Sequence, residues 1–187
     1  MGSRWRKQST AQRIDGARVN RPNADHALVL GIDPGSAITG YAVVEVNARG
    51  DTSLVEAGAL RLKRSETLTQ RLAALAGDMD ALFQEHAFTH IAVETIFSHP
   101  SHVQSALQMG HARGVVLLAA ARAHVELIEL APAEVKKAIC GNGRATKEQM
   151  QQAVTMQCGL AKPPTPHDVA DAIAIALTAS RRLKLLA

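Results

Sequence analysis

Apolar residues along the chain follow two different spacings, and the change between them separates predicted strands from predicted helices. Two runs of β type, at about residues 27–33 and 39–46, are joined by a Pro-Gly-Ser turn. A third run, at about 53–62, follows a turn signal at 47–51. Three consecutive strands with short links predict an antiparallel meander.

After residue 62 the spacing becomes helical. Large apolar residues that share one helix face predict an amphipathic helix over about 67–86: Leu68, Leu72, Leu75, Met79 and Leu82. Short strands are predicted at 89–94 and 125–130, and further helices at about 103–124, 132–140, 146–158 and 166–184. The order βββαβαβα, with extra helical pieces, predicts an α/β domain whose five-stranded mixed sheet is flanked by helices on both faces.

Two single carboxylates stand at the ends of predicted strands. Asp33 ends the first strand, where Pro34 and Gly35 form a tight turn, and Glu94 ends the strand at 89–94. An acid at such a position is either a ligand for a hard cation or a residue that favours the turn. For Asp33 alone, the two interpretations are equally good.

Two further carboxylates lie at the start of the last predicted helix. Asp168 and Asp171 are three residues apart and therefore share one helix face. Asp168 is also explained by capping of the first helical turn. Capping does not explain Asp171, which lies in an apolar run at 169–177, where charges are rare unless paired or bound to metal.

These four acids, Asp33, Glu94, Asp168 and Asp171, indicate a metal site built from oxygen ligands. Oxygen ligands without His or Cys favour Mg²⁺ or Mn²⁺. Acids that hold two such ions suit the hydrolysis of phosphodiester bonds. The spacing permits the four acids to converge but does not require it.

Composition excludes several other classes of protein. The chain lacks a run of about 18 apolar residues, so we expect no membrane span, and no apolar signal segment follows the basic N-terminus. Cys140 and Cys158 form no CxxC pair, which favours a reducing compartment and argues against structural zinc. We therefore expect a cytoplasmic protein. The pair His99 and His102 has no second ligand pair spaced to complete a zinc site.

The positive charge is concentrated at the N-terminus. Residues 1–26 hold six basic and two acidic residues, which accounts for the net charge of +4. This segment has no apolar periodicity, so we expect a disordered basic tail at 1–26 and a folded domain at 27–184. The tail could bind nucleic acid non-specifically, but a disordered extension without that role fits as well.

Four blocks of sequence resemble one family. LGIDPGSAITGYAVVE, IAVETIF, ALQMGHARG and HDVADAIAIALT are similar, in this order, to the RuvC-type Holliday junction resolvases of bacteria. The resemblance implies an RNase H-like (retroviral-integrase superfamily) fold and a homodimer with two Mg²⁺ or Mn²⁺ ions per active site. It further implies paired symmetric nicks in four-way junction DNA, leaving 5′-phosphate and 3′-hydroxyl ends, in recombination and repair, together with the RuvA and RuvB branch-migration complex.

The resemblance also implies roles for single residues. It identifies the four acids as catalytic metal ligands, with His167 as a possible accessory group, although a solvated loop histidine is the simpler interpretation. Phe97 matches an aromatic residue that stacks on junction bases. Basic residues that the resemblance or their neighbourhood assigns to DNA are Arg113, Lys136, Lys137, Arg144 and Lys147. A solvated surface position is the alternative for the lysines.

Two other functions remain open at this point. The turn at residues 33–40 resembles a phosphate-binding turn of actin-like or sugar-kinase ATPases, but those need two related domains and a second glycine-rich loop, which we do not find. The other alternative is a catalytically silent four-way-junction-binding protein of the same fold. Four acids facing phosphate argue against it, since they would weaken binding to DNA.

Overall fold

In the computed structural model of the protein, residues 26–95 and 103–184 are described, with side chains at 26–95 and 106–183. The predicted basic tail, except for His26, and Phe97 lie outside these residues, so the predictions on them stay predictions. Among the described helices, none combines the length and apolarity needed to cross a bilayer.

The predicted order of strands and helices is confirmed, with ends that move by one or two residues. The elements are β1 (Ala27–Asp33), β2 (Ile38–Val46), β3 (Thr52–Arg61), α1 (Leu68–Glu85), β4 (His90–Glu94), α2 (Val103–Arg122), β5 (Glu126–Leu130), α3 (Pro132–Cys140), α4 (Lys147–Gln157) and α5 (His167–Lys184). Thr67 and Thr146 form capping boxes that fix the first residues of α1 and α4.

The strands form one mixed sheet in the order β3-β2-β1-β4-β5. β2 is antiparallel to both β1 and β3, which is the predicted meander. β4 is parallel to β1, and β5 is parallel to β4. The carboxyl ends of β1, β4 and β5 therefore meet at one edge of the sheet, while β2 runs the other way.

Helices cover both faces of the sheet, as predicted. Side chains that alternate along the strands form two separate apolar clusters. One cluster joins Val29 of β1 and Ala92 of β4 to α3, α4 and α5. The other joins Leu30 and Ile91 to α1 and α2. The core is mostly aliphatic, and the second cluster also contains the buried aromatic residues Tyr41 and Phe88.

Helix α5 lies directly on the backbone of β1 and β2. A Cβ atom at Gly31 would stand 2.4 Å from the carbonyl oxygen of Ala172, and one at Gly40 would stand 1.9 Å from that of Asp168. Any side chain at these two positions would push the helix away. The two glycines therefore set the height of α5 above the sheet edge.

Candidate active site

The strand pairing brings Asp33 and Glu94 together. Ile32 of β1 pairs with Val93 of the parallel neighbour β4, and each acid is the next residue of its strand. Because side chains alternate, both acids project to the sheet face of Val29 and Ala92, which α5 covers. Two acids that are about sixty residues apart in sequence thus meet at one edge of the sheet.

The first turn of α5 supplies the other two acids to the same place. Its contact with Gly40 puts Asp168 over the start of β2, and a Cβ at Gly35 would lie 3.8 Å from Asp168 Oδ1. Asp171 lies one helical turn further on. All four acids line one cavity of about 530 Å³, as the sequence permitted.

Burial and mutual repulsion act strongly on the acids of this cavity. Burial, and then the charges of Asp171, Glu94 and Asp168, raise the pKa of Asp33 from 3.8 to about 8. Burial and Asp171 raise the pKa of Glu94 from 4.5 to about 7. Burial is also the largest cause that raises the pKa of Asp171. The acids are partly buried and repel one another, and a bound cation would reduce this repulsion.

The donor chemistry of the cavity fits a hard divalent cation, because all four acids offer oxygen atoms. In the described residues, however, no three His, Cys, Asp or Glu side chains are already arranged to hold an ion. The four acids share a cavity without converging on one point. Binding a cation through three of them requires their side chains to rotate.

Two of the predicted DNA-binding lysines line the same cavity. Lys136 comes from α3 and Lys147 from the start of α4. Lys147 lowers the pKa of Asp33, Glu94 and Asp171 against the effect of burial, and Lys136 does so for Glu94 and Asp171. Both ammonium groups therefore lie within electrostatic reach of the acids.

The other predicted polar residues do not line the cavity. Arg113, whose side chain is 19% exposed, forms an ion pair with Glu129 of β5, and its buried Nε has no hydrogen-bond partner in the described residues. Lys137 and Arg144 are exposed. His167 is exposed too, but its charge lowers the pKa of Asp171. Their functional roles stay predictions.

Reasoning from the sequence missed several residues that line the cavity, including one cation. Arg64, in the turn between β3 and α1, lines the cavity, and so does Met109 of α2. Arg64 stands in an ordinary polar turn and carries no sequence signal. Met109 lies in the block ALQMGHARG, but nothing in that block indicates that its side chain lines a site. Only the fold brings them beside the acids.

Comparisons with known proteins agree with this geometry. The family model described as "Crossover junction endodeoxyribonuclease RuvC" matches residues 29–179. Curated relatives of that name include one from Rhodopirellula baltica, 47% identical over 80% of this chain and 83% of its own length. Another, from Heliobacterium modesticaldum, is 42% identical over 83% of this chain and 95% of its own length.

A solved structure leads to the same family. The structure of Thermus thermophilus RuvC in complex with Holliday junction substrate has a TM-score of 0.77 and 31% identity, over 85% of this chain and 96% of that chain. RuvC structures have the RNase H-like fold, so the predicted fold class is confirmed, and the ATPase alternative is excluded. The chain belongs to the RuvC family of crossover junction endodeoxyribonucleases.

Proposed function

We propose that this nuclease resolves Holliday junctions by paired, symmetric nicks at the four-way crossover. The main support is the cavity at the carboxyl edge of the sheet, which gathers Asp33, Glu94, Asp168 and Asp171 from three elements of a chain that belongs to this family. The relative solved with a Holliday junction substrate supports the choice of DNA. A silent binder would gain nothing from four acids in the cavity that faces phosphate.

The family's nucleases depend on metal ions. For this chain we propose Mg²⁺ or Mn²⁺, two per active site, held by the four acids. When bound, two such ions supply a nucleophilic water at neutral pH and stabilise the leaving oxygen. The oxygen-only donor set supports this choice of ions.

The chain's own residues orient the strand for hydrolysis. The acids fix the position at which the scissile phosphate must sit, and Lys136 and Lys147 neutralise its charge from the side of α3 and α4. The oxygen of water bonds to phosphorus as the bond from phosphorus to O3′ breaks. The water gives up a proton to solvent, and O3′ takes one up. The products are a 5′-phosphate and a 3′-hydroxyl.

Paired nicks require two active sites, and we propose a homodimer that joins two copies through α2. Large apolar side chains exposed on α2 and on the neighbouring β5 support this surface: Leu107 (54%), Leu118 (59%) and Leu127 (38%). A two-fold interface uses the same patch on both copies and relates the two cavities by symmetry.

Further roles rest on the family alone. We propose that Phe97 stacks on junction bases, that Arg113, Lys137 and Arg144 support DNA binding, and that His167 assists the acids. RuvA and RuvB are the proposed partners, and the cytoplasm is the proposed location.

Cleavage of a labelled synthetic four-way junction tests the proposed function, with matched duplex as the control substrate. We expect metal-dependent paired nicks near the crossover for the wild type, none with a chelator, and binding without cleavage for Asp33→Asn. Asp80→Asn, which removes an exposed acid on α1, should cleave normally. Junction binding without cleavage under any metal would favour the silent binder, and equal cleavage of duplex would contradict junction selectivity.

A further inference from the structure

Arg64 lines the cavity that holds the four acids, but the proposed function assigns no role to it. It stands in a turn that is closed by a hydrogen bond from the Glu66 N–H to the Lys63 carbonyl, 3.0 Å long. Its side chain is exposed and forms no ion pair or hydrogen bond within the described part of the chain. The neighbouring Lys63, in contrast, pairs with Glu66 at 3.8 Å.

The turn that carries Arg64 is held against the turn that follows Asp33. The Leu62 N–H donates to the Ala37 carbonyl at 2.9 Å. Arg71 Nη1 of α1 donates to the Ser36 carbonyl at 2.7 Å. These contacts fall before and after Arg64 in sequence, so the residue stands at a defined place beside the acids.

Arg64 approaches the cavity from the side opposite to the two lysines. The turn leads into α1, which packs on one face of the sheet, whereas α3 and α4 pack on the other face with α5. The charges that lower the pKa values of Asp33, Glu94 and Asp171 include Lys147 but not Arg64. An exposed cation that lines the cavity and has no side-chain partner in the described part of the chain is available to an anion from outside.

We propose that Arg64 binds a backbone phosphate of the DNA strand in the cavity, on the side away from Lys136 and Lys147. The proposal rests on the function proposed above, and it makes Arg64 a positioning residue rather than a catalytic one. A guanidinium can hold two phosphate oxygens at once, which fixes the direction of the strand as well as its place. The scissile bond is then held over the acids from both sides.

The salt dependence of DNA binding tests this contact. Affinity is measured in the Asp33→Asn background, which prevents cleavage, between about 50 and 200 mM salt, with Arg64→Ala added. Loss of one phosphate contact should reduce the slope of log affinity against log salt by about 0.9 on paired arms. Arg64→Lys should keep the slope.

Two matched variants show whether the effect belongs to Arg64. Arg49→Ala removes an exposed arginine from the turn at the other end of β3, and Lys63→Ala removes the cation next to Arg64. Both should leave the slope within about 0.2 of the reference, because neither residue lines the cavity. In the cleavage-competent background, Arg64→Ala should slow single-turnover nicking by roughly tenfold even at saturating enzyme, since a misplaced strand reacts slowly.

The outcomes separate this proposal from the proposed function. An unchanged slope for Arg64→Ala, or an equal change for Lys63→Ala, overturns the contact even if the wild type resolves junctions normally. A reduced slope specific to Arg64, on a wild type that shows no preference for junctions, supports the contact and overturns the proposed substrate.

Discussion

Asp33 shows how strongly the fold acts on one side chain. In the unfolded chain its carboxyl has an ordinary pKa, but in the cavity burial and three neighbouring acids raise that pKa to about 8. The folded protein therefore binds a proton that the unfolded protein releases between these two values. In the absence of metal, the contribution of Asp33 to the free energy of unfolding therefore falls as the pH rises from about 4 to about 8.

Because of this linkage, removing the charge of Asp33 should change how stability depends on pH. In the presence of a chelator, Asp33→Asn should raise the melting temperature above that of the wild type at about pH 8. The difference should vanish below about pH 4, where the Asp33 carboxyl is protonated in the folded and in the unfolded chain. The rise should reach several degrees, because 1 kcal/mol changes the melting temperature of a domain this size by roughly 2–4 °C. Calorimetry across the pH range measures it.

The exposed acid of α1 provides the control. Asp80→Asn removes an exposed acid that does not line the cavity, so its melting temperature at about pH 8 should stay close to that of the wild type. A melting temperature of Asp33→Asn that lies below the wild type at about pH 8 would contradict the raised pKa of Asp33 in the folded chain.

At this scale the sequence reveals the acids and the two lysines of the cavity but not Arg64. An apolar strand that ends in an acid is a recognisable pattern, and it finds Asp33 and Glu94. Asp171 is recognisable because a charge inside an apolar helical run needs a partner. Arg64 is one polar residue in a polar turn, and its place beside the acids depends on contacts with Ser36 and Ala37 that local sequence does not encode.

Among the elements, α5 determines whether the site is complete. It carries Asp168 and Asp171, and its height above the sheet depends on the absence of side chains at Gly31 and Gly40. The predicted bounds of α5 were nearly right because its apolar run is long and its start follows a proline-rich segment. Its position on β1 and β2 depends on close backbone contact, which periodicity alone does not predict.

Replacing Gly40 by alanine tests this dependence. The new Cβ would fall 1.9 Å from the Asp168 carbonyl oxygen, so the first turn of α5 must shift. We expect a loss of about 1–3 kcal/mol in unfolding free energy from overpacking. We also expect nicking to slow by at least roughly a hundredfold, since a displacement near 1 Å at the site is costly.

Gly77→Ala is the matched control, because a Cβ at that position of α1 meets no atom within 4 Å. It should stabilise the protein slightly through its higher helix propensity and leave nicking unchanged. Wild-type nicking by Gly40→Ala would mean that the helix can move without disturbing Asp168.

At the scale of the whole molecule, the exposed apolar surface of α2 and β5 is the proposed interface between the two copies of the dimer. Leu118→Asp should convert the proposed dimer to monomers in sedimentation experiments, because burying a charge at the centre of an apolar interface is unfavourable. Paired nicks should then become single, unsynchronised nicks.

Met156→Asp provides a matched surface change on α4, where the side chain is 82% exposed. It should leave the sedimentation of the protein and the pairing of its nicks unchanged. A dimer that persists in Leu118→Asp would move the proposed interface to another surface.

The layered architecture could be predicted at this scale because strand and helix periods alternate clearly and the connections are short. Beyond the meander of β1, β2 and β3, the order of strands in the sheet and the exposed side of α2 could not be predicted, since both depend on which faces pack together. The resemblance of four blocks to a known family supplied what local patterns lack, namely the convergence of the acids on one edge.

The four acids come from the beginning, the middle and the end of the folded domain: β1, β4 and α5. A chain emerging from the ribosome therefore has at most two of these four acids until the last helix is synthesised. That helix also contributes a large part of the apolar cluster on its face of the sheet, so the same helix completes both the core on that face and the set of four acids. On the proposed function, a chain that ends before α5 lacks Asp168 and Asp171 and should be unable to cut DNA.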